Sequence, residues 1–115
     1  MGIGTDIIEI SRIEKSIKSE AFLKRVFSER ERELIEKKGA PGAAANFAAK
    51  EAFSKALGTG VRGFSLCEVE VLREDNGKPY IALSGRAEKL MGKRKIEVSL
   101  SHTDSLALAF VVIEG

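Results

Sequence analysis

The stretch from Asn46 to Gly60, NFAAKEAFSKALGTG, sets the strongest limit on how this chain can fold. Ala45, Ala48, Ala49, Ala52, Phe53 and Ala56 recur at helical spacing and predict one apolar stripe. Asn46, Lys50, Glu51, Ser54 and Lys55 fall on the other side, and Gly58 is placed to end the helix with a positive φ. A stripe built largely of alanine lets a neighbouring backbone approach closely. Glu51 and Lys55 stand one turn apart. An ordinary i,i+4 ion pair, stabilising by about 0.2–0.5 kcal/mol, accounts for them. The other reading makes Glu51 a metal ligand and Lys55 a phosphate contact. Phe47 falls in the same row, which is unusual for a wholly solvated face.

Met1 to Ile10, MGIGTDIIEI, predicts a strand running into a helix, with Ile3, Ile7, Ile8 and Ile10 as β-branched residues. Asp6 interrupts it, on the same pleat face as Gly2 and Gly4, where the glycines leave space. Such a carboxylate is hydrogen-bonded, paired or bound to a cation; capping the next helix is the plain alternative. The GxG here lacks the third glycine and the strand–turn–helix context of a dinucleotide site.

Ser11 to Lys18 continues as a short helix with Ile10, Ile13 and Ile17 on its apolar side. Arg12, Lys15 and Lys18 form a basic row, and Lys24 and Arg25 follow. This is either a solvated face or a docking surface for an acidic protein. Ser28-Glu29-Arg30-Glu31 is a capping box that opens a helix expected to stop near Gly39. Gly39-Ala40-Pro41-Gly42 is expected to break the chain before the central helix.

Beyond Gly60 the pattern turns strand-like. Leu66 to Leu72 alternates, with Cys67, Val69 and Val71 on one face and Cys67 read as a small buried apolar residue. Asp75-Asn76-Gly77 supplies turn chemistry before a strand from Lys78 to Leu83, with Pro79 at an edge. Ser84 to Met91 predicts a short helix with Ala87, Leu90 and Met91 inward. Lys95 to Ser101 alternates again, residues 102–105 bend, and Leu106 to Ile113 reads as a strand central in its sheet. The whole predicts an α+β fold, an antiparallel sheet packed against a central helix.

Composition removes several function classes. A chain of 115 residues suggests a single domain over 1–115. With 19 basic and 17 acidic residues, the net charge of +2 does not call for nucleic acid. One cysteine forbids an internal disulfide, and one histidine with one cysteine cannot build the usual zinc site within one chain. No apolar run reaches membrane-spanning length and no signal-peptide pattern opens the chain, so a cytoplasmic protein is expected.

Magnesium sites for phosphoryl transfer often use one or two protein carboxylates, with phosphates and waters in the remaining positions. Asp6 and Glu51 form such a pair if the first strand packs beside the central helix, with Lys55 one turn along. His102, at the junction of the last two strands, is either a surface residue or a ligand contact. A nucleophile pair with Ser101 is disfavoured, because neighbours on a strand point to opposite faces. No Walker motif occurs, and Gly58-Thr59-Gly60 follows a helix C-terminus, the wrong end for cradling phosphate.

Four segments together resemble the holo-acyl-carrier-protein synthase family of 4'-phosphopantetheinyl transferases. They are GIGTDIIEISRIE (Gly2 to Glu14), FAAKEAFSKALGTG (Phe47 to Gly60), NGKPY (Asn76 to Tyr80) and VSLSHTDSLALAFVV (Val98 to Val112). The resemblance implies transfer of the phosphopantetheine arm of coenzyme A to a serine of apo-acyl carrier protein, in fatty acid biosynthesis, with adenosine 3',5'-bisphosphate released. It implies Asp6 and Glu51 as Mg²⁺ ligands and Glu51 and Lys55 as catalytic. It implies coenzyme A contacts from Lys55, Gly58, Gly77, Lys78, Pro79, His102 and Thr103. Carrier protein is expected at Arg12, Lys18 and Arg25. A homotrimer with sites between subunits is expected too, with no part for nucleic acid or membrane. The chain departs from the family at Asn46, where many relatives have arginine, and Lys50 is a candidate to replace that charge.

Two other classes remain open on the residues alone. A non-catalytic module using the basic helix on nucleic acid would bind random DNA in a salt-dependent way. A phosphate-ester hydrolase built on the same two carboxylates would release bisphosphate without an acceptor protein.

Overall fold

The computed structural model describes residues 1–60 and 63–115. In chain order the elements are β1 (Gly2–Glu9), α1 (Ile10–Ser16), α2 (Glu20–Val26), α3 (Glu29–Leu57), a 3-10 turn (Leu66–Glu68), β2 (Val69–Arg73), β3 (Pro79–Leu83), α4 (Gly85–Met91), β4 (Lys95–His102) and β5 (Leu106–Glu114). The strands divide into two antiparallel sheets, one in the order β1-β5-β4 and one the hairpin β2-β3. The expected α+β architecture is present, with β5 central in the larger sheet.

Register explains which side chains meet the helix. Gly2, Gly4, Asp6 and Ile8 of β1 stand opposite Ile113, Val111, Ala109 and Ala107 of β5, and Ile96, Val98, Leu100 and His102 of β4 complete the rows. The four β5 residues of this face are buried, whereas Ile3, Ile7, Leu108 and Phe110 on the opposite face are exposed. The period of two thus puts α3 on one face and leaves an apolar surface on the other.

Alanines and glycines set the distance between α3 and β1. Ala48, Ala49 and Ala52 are fully buried. A Cβ on Gly4 would overlap the backbone at Ala52 and Ala56, and one on Gly2 the Ala56 carbonyl. The space beside Asp6 left by these glycines is filled by the helix backbone itself.

Helix α3 differs from the expected pair of helices with a loop between. Gly39 alone breaks it, at φ 70° and ψ −158°, and the helix resumes at once with Pro41 in its new first turn. Proline is tolerated there because first-turn N–H groups have no intrahelical partner. The central segment therefore starts before Asn46. Its N-terminal capping box, Ser28 with Glu31, and its left-handed C-terminal Gly58 (φ 86°) are as the sequence predicts.

Three further boundaries shift. Helix α1 ends at Ser16, so Lys18 leaves the basic row and lies in the following turn. Leu66 to Glu68 forms a 3-10 turn rather than strand, because the Glu68 carboxylate accepts from the N–H groups of Ser65 and Ala87; Cys67 is consequently only half-buried. In α4, Ala87 and Met91 are buried one turn apart while Leu90 is exposed at the rim.

The expected solvated side of α3 is mostly interior. Asn46, Lys50 and Ser54, at i, i+4 and i+8, are buried, and α3 also packs against β2, with both Asn46 and Lys50 reaching strand carbonyls there. Lys50 Nζ donates to Glu31 Oε1 at 2.7 Å and to the carbonyls of Val69 and Leu66. Glu31 Oε2 accepts from Asn46 Nδ2 at 3.0 Å and from the Val71 N–H at 3.1 Å. Burial pulls the Lys50 pKa down and the Glu31 charge opposes it. Phe47, whose position looked odd, packs on Phe22 of α2 with centroids 6.2 Å apart.

Candidate active site

The close seating of β1 on α3 brings Asp6, Glu51 and Lys55 into one group. Lys55 Nζ lies 3.2 Å from Asp6 Oδ1 and donates to the Thr5 carbonyl at 2.9 Å. Among the described residues Lys55 makes no ion pair with Glu51, so the simple i,i+4 pairing gives way to a contact between helix and strand. Glu51 is half-buried, and its pKa is raised first by burial and then by the Asp6 charge. Lys55 and Arg12 act in the opposite direction. Arg12, exposed on α1, therefore belongs to the surroundings of this group.

A second assembly lies at the opposite edge of the sheet. The β2–β3 turn has Gly77 at φ 90°, its N–H donating to the Glu74 carbonyl, and Asn76 Oδ1 accepting from the Lys78 N–H. Pro79 opens β3 opposite Arg73. His102, the last residue of β4, faces the same side as Leu100, while Ser101 belongs to the other face. Thr103 Oγ1 accepts from the N–H groups of Ser105 and Leu106, which fixes the bend after His102. Gly77, Pro79, Leu100 and His102 line a cavity of about 430 Å³ together with Lys38 and Arg73.

The expected coenzyme A residues are thus divided. Lys55 and Gly58 lie at the C-terminal end of α3, and Gly77, Pro79 and His102 line the cavity on the β4 side. Lys78 and Thr103 are exposed beside it. Lys50 cannot replace a ligand-binding arginine, because it is fully buried and held by Glu31. Of the three expected carrier-protein contacts, Arg12 and Lys18 are exposed. Arg25 is exposed as well and lies over the Phe22 ring at 5.8 Å. The sequence reading missed Arg73, whose place in Arg73-Glu74-Asp75 looks like the charged flank of any turn, and saw Glu31 only as a capping residue.

Comparison with known proteins decides the family. Residues 2–111 match the model of the 4'-phosphopantetheinyl transferase superfamily. The chain belongs to that superfamily. A holo-[acyl-carrier-protein] synthase of Fusobacterium nucleatum is 46% identical, with 98% of each chain covered. Among solved structures, the Helicobacter pylori holo-[acyl-carrier-protein] synthase in complex with coenzyme A superposes with a TM-score of 0.87 at 34% identity, covering 97% of this chain and 99% of that one. The Bacillus anthracis holo-(acyl-carrier-protein) synthase in complex with CoA (3',5'-ADP) gives 0.85 at 38% identity, covering 98% and 95%. This phosphopantetheinyl transferase is therefore an enzyme of the same kind as these synthases. Among its described residues no helix is long and apolar enough to cross a membrane.

Proposed function

We propose that this enzyme, acting as one domain over residues 1–115, moves the 4'-phosphopantetheine group of coenzyme A to a serine of apo-acyl carrier protein, in the service of fatty acid biosynthesis in the cytoplasm. The observation that carries the reading is the Asp6–Glu51–Lys55 group: two carboxylates and a lysine held by a strand and a helix in direct backbone contact. The serine oxygen attacks the phosphorus on the pantetheine side of the diphosphate. A new phosphoester bond forms, the bond to the bridging oxygen breaks, and adenosine 3',5'-bisphosphate leaves with that electron pair. Lys55, with its side chain 55% exposed, moves from Asp6 to the diphosphate and balances charge on the leaving group. The serine proton passes to Glu51 or to water; the raised pKa of Glu51 makes it a competent acceptor.

The residues present fit Mg²⁺. Asp6 and Glu51 offer hard oxygen donors, and the upward push of Asp6 on Glu51 would be relieved by a bound cation. Among the described residues no cluster of three or more metal-ligating side chains occurs, so the donor set suits an ion that completes its shell with phosphate and water. When bound, the ion polarises the diphosphate and stabilises its developing charge.

Two features support a homotrimer. The cationic cavity on the β4 side and the carboxylates on β1 are separated by β5, so one chain holds two half-sites. The outward sheet face, with Ile3 57% and Ile7 59% exposed beside Leu108 and Phe110, is an apolar surface suited to association; the resemblance supplies the number three. Arg12, Lys18 and Arg25 form the face for acidic carrier protein, and Arg12→Glu is expected to raise the carrier-protein KM while leaving coenzyme A binding nearly intact.

Intact-mass analysis of apo-carrier protein, incubated with the enzyme, coenzyme A and Mg²⁺, tests the reading. A gain of one phosphopantetheine is expected. Bisphosphate release without that gain would point to a hydrolase, and salt-dependent binding to random DNA with neither product would point to a nucleic-acid module. Mg²⁺ alone should raise the melting temperature of the wild type and leave that of Glu51→Gln unmoved.

A further inference from the structure

The setting of Lys55 differs from that of Lys50 in a way the chemistry of transfer does not explain. Lys50 uses all three ammonium donors, on Glu31 and on the carbonyls of Leu66 and Val69, and none of its side chain is exposed. Lys55 uses two, on the Thr5 carbonyl at 2.9 Å and on Asp6 Oδ1 at 3.2 Å, and 55% of its side chain is exposed. It is attached to the site without being enclosed in it.

Asp6 depends on that attachment. Only 18% of its side chain is exposed, and among the described residues Lys55 is its one ion-pair partner. A carboxylate so far withdrawn from water needs a positive partner. Glu51 does not supply one, being an acid itself. The strand cannot carry Asp6 away, because Gly2 and Gly4 seat β1 directly on the backbone of α3. The part free to move is the flexible four-carbon stem of Lys55. A cation held by Asp6 and Glu51 and the Lys55 ammonium are therefore rivals for one carboxylate, and their like charges repel at such distances.

We propose that Lys55 is the internal counter-ion of this site: it competes with the divalent cation for Asp6, and by passing to the diphosphate it couples cation binding to coenzyme A binding. This rests on the reading of Asp6 and Glu51 as cation ligands and of coenzyme A as donor. The cation alone must break the Asp6–Lys55 pair and leave the ammonium in water. The diphosphate alone draws Lys55 off and leaves Asp6 without a positive charge. Bound together, each relieves the loss that the other causes, so each tightens the other by the same factor. The share of that factor due to Lys55 is about threefold to fivefold, the upper range for a partly exposed ion pair.

Two measurements on the full-length enzyme test the proposal. In the first, wild type is acetylated briefly with an N-hydroxysuccinimide ester, and Lys55 labelling is read by peptide mass against the exposed Lys93. Mg²⁺ alone should raise Lys55 labelling about threefold to fivefold, and coenzyme A added with Mg²⁺ should lower it again. In the second, calorimetry compares Mg²⁺ binding to wild type and Lys55→Met. The variant should hold Mg²⁺ alone about threefold to fivefold more tightly, and coenzyme A should tighten Mg²⁺ less in the variant by that same factor. The labelling uses the wild type only, so it decides the matter if Lys55→Met does not fold. Labelling of Lys55 that Mg²⁺ leaves unchanged, at a concentration that raises the melting temperature, overturns the proposal and spares the cation site. So does an unchanged Mg²⁺ affinity in a folded Lys55→Met. Mg²⁺ that binds neither wild type nor variant, with or without coenzyme A, overturns it together with the cation reading.

Discussion

Lys50 and Glu51 are neighbours in sequence and belong to two charged groups of opposite kind. Lys50, with Glu31 and Asn46, is sealed: both members of the ion pair are fully buried, and among the described residues no buried side-chain polar atom lacks a partner. Glu51, with Asp6 and Lys55, is open: its carboxyl is pushed toward protonation, and Lys55 is half in solvent. One step of about 100° around the helix separates them. A charge cluster whose contacts are complete holds a fold together. One whose charges are only partly balanced, and accessible, is available to a ligand. The number of charges does not separate the two groups; their balance does.

The largest effect should come from breaking the sealed group. Lys50→Ala leaves Glu31 buried without its cation and should lower stability by about 3–5 kcal/mol in urea denaturation. Opening the contrast from the other side, Glu51→Gln should reduce carrier-protein modification at least about a hundredfold, or ~2.7 kcal/mol on the barrier, by intact-mass kinetics. The same variant should melt at or above the wild type at neutral pH. Because the folded pKa of Glu51 is raised, its ionised form disfavours folding above the ordinary carboxylate value, and the difference between variant and wild type should fade as pH falls below that value.

Smaller effects sharpen the comparison. Gly4→Ala forces β1 and α3 apart, and should cost about 1–3 kcal/mol of stability while lowering transfer, since Asp6 moves with the strand. Glu70→Gln should have the least effect. The Arg30 hydrogen bond, and then that of Ser28, hold the Glu70 pKa below its usual range. That contribution is present above the unfolded value and is lost as pH falls through the folded one. Melts from neutral to strongly acid pH should therefore show the variant slightly weaker at first and equal to the wild type in acid.

Local signals were the legible ones. The capping box at Ser28, the left-handed Gly58 and the turn at Gly77 each depend on a few adjacent residues, and each is present; β5 is a central strand as its apolar run predicts, but that run hid an alternation of buried and exposed residues. What the sequence concealed came from contacts distant along the chain. Asn46, Lys50 and Ser54 look like a wet helix face until β2 packs against them, and Glu31 reaches Lys50 across 19 positions. The breaker at Gly39 was legible but its length was not, since one left-handed residue sufficed. For the site, Asp6, Glu51 and Lys55 stood out as chemistry-bearing residues. Their meeting depended on how closely β1 approaches α3, and the division of the remaining contacts between the two edges of the sheet was invisible before topology was known.

The glycines of β1 have a consequence beyond local fit. Two elements that touch main chain to main chain have no cushion of side chains to take up movement, so Asp6 and Glu51 must travel in step. An adjustment that tried to widen the gap between them would have to reshape the backbone, and evolution of a roomier pocket here would begin with the loss of Gly2 and Gly4.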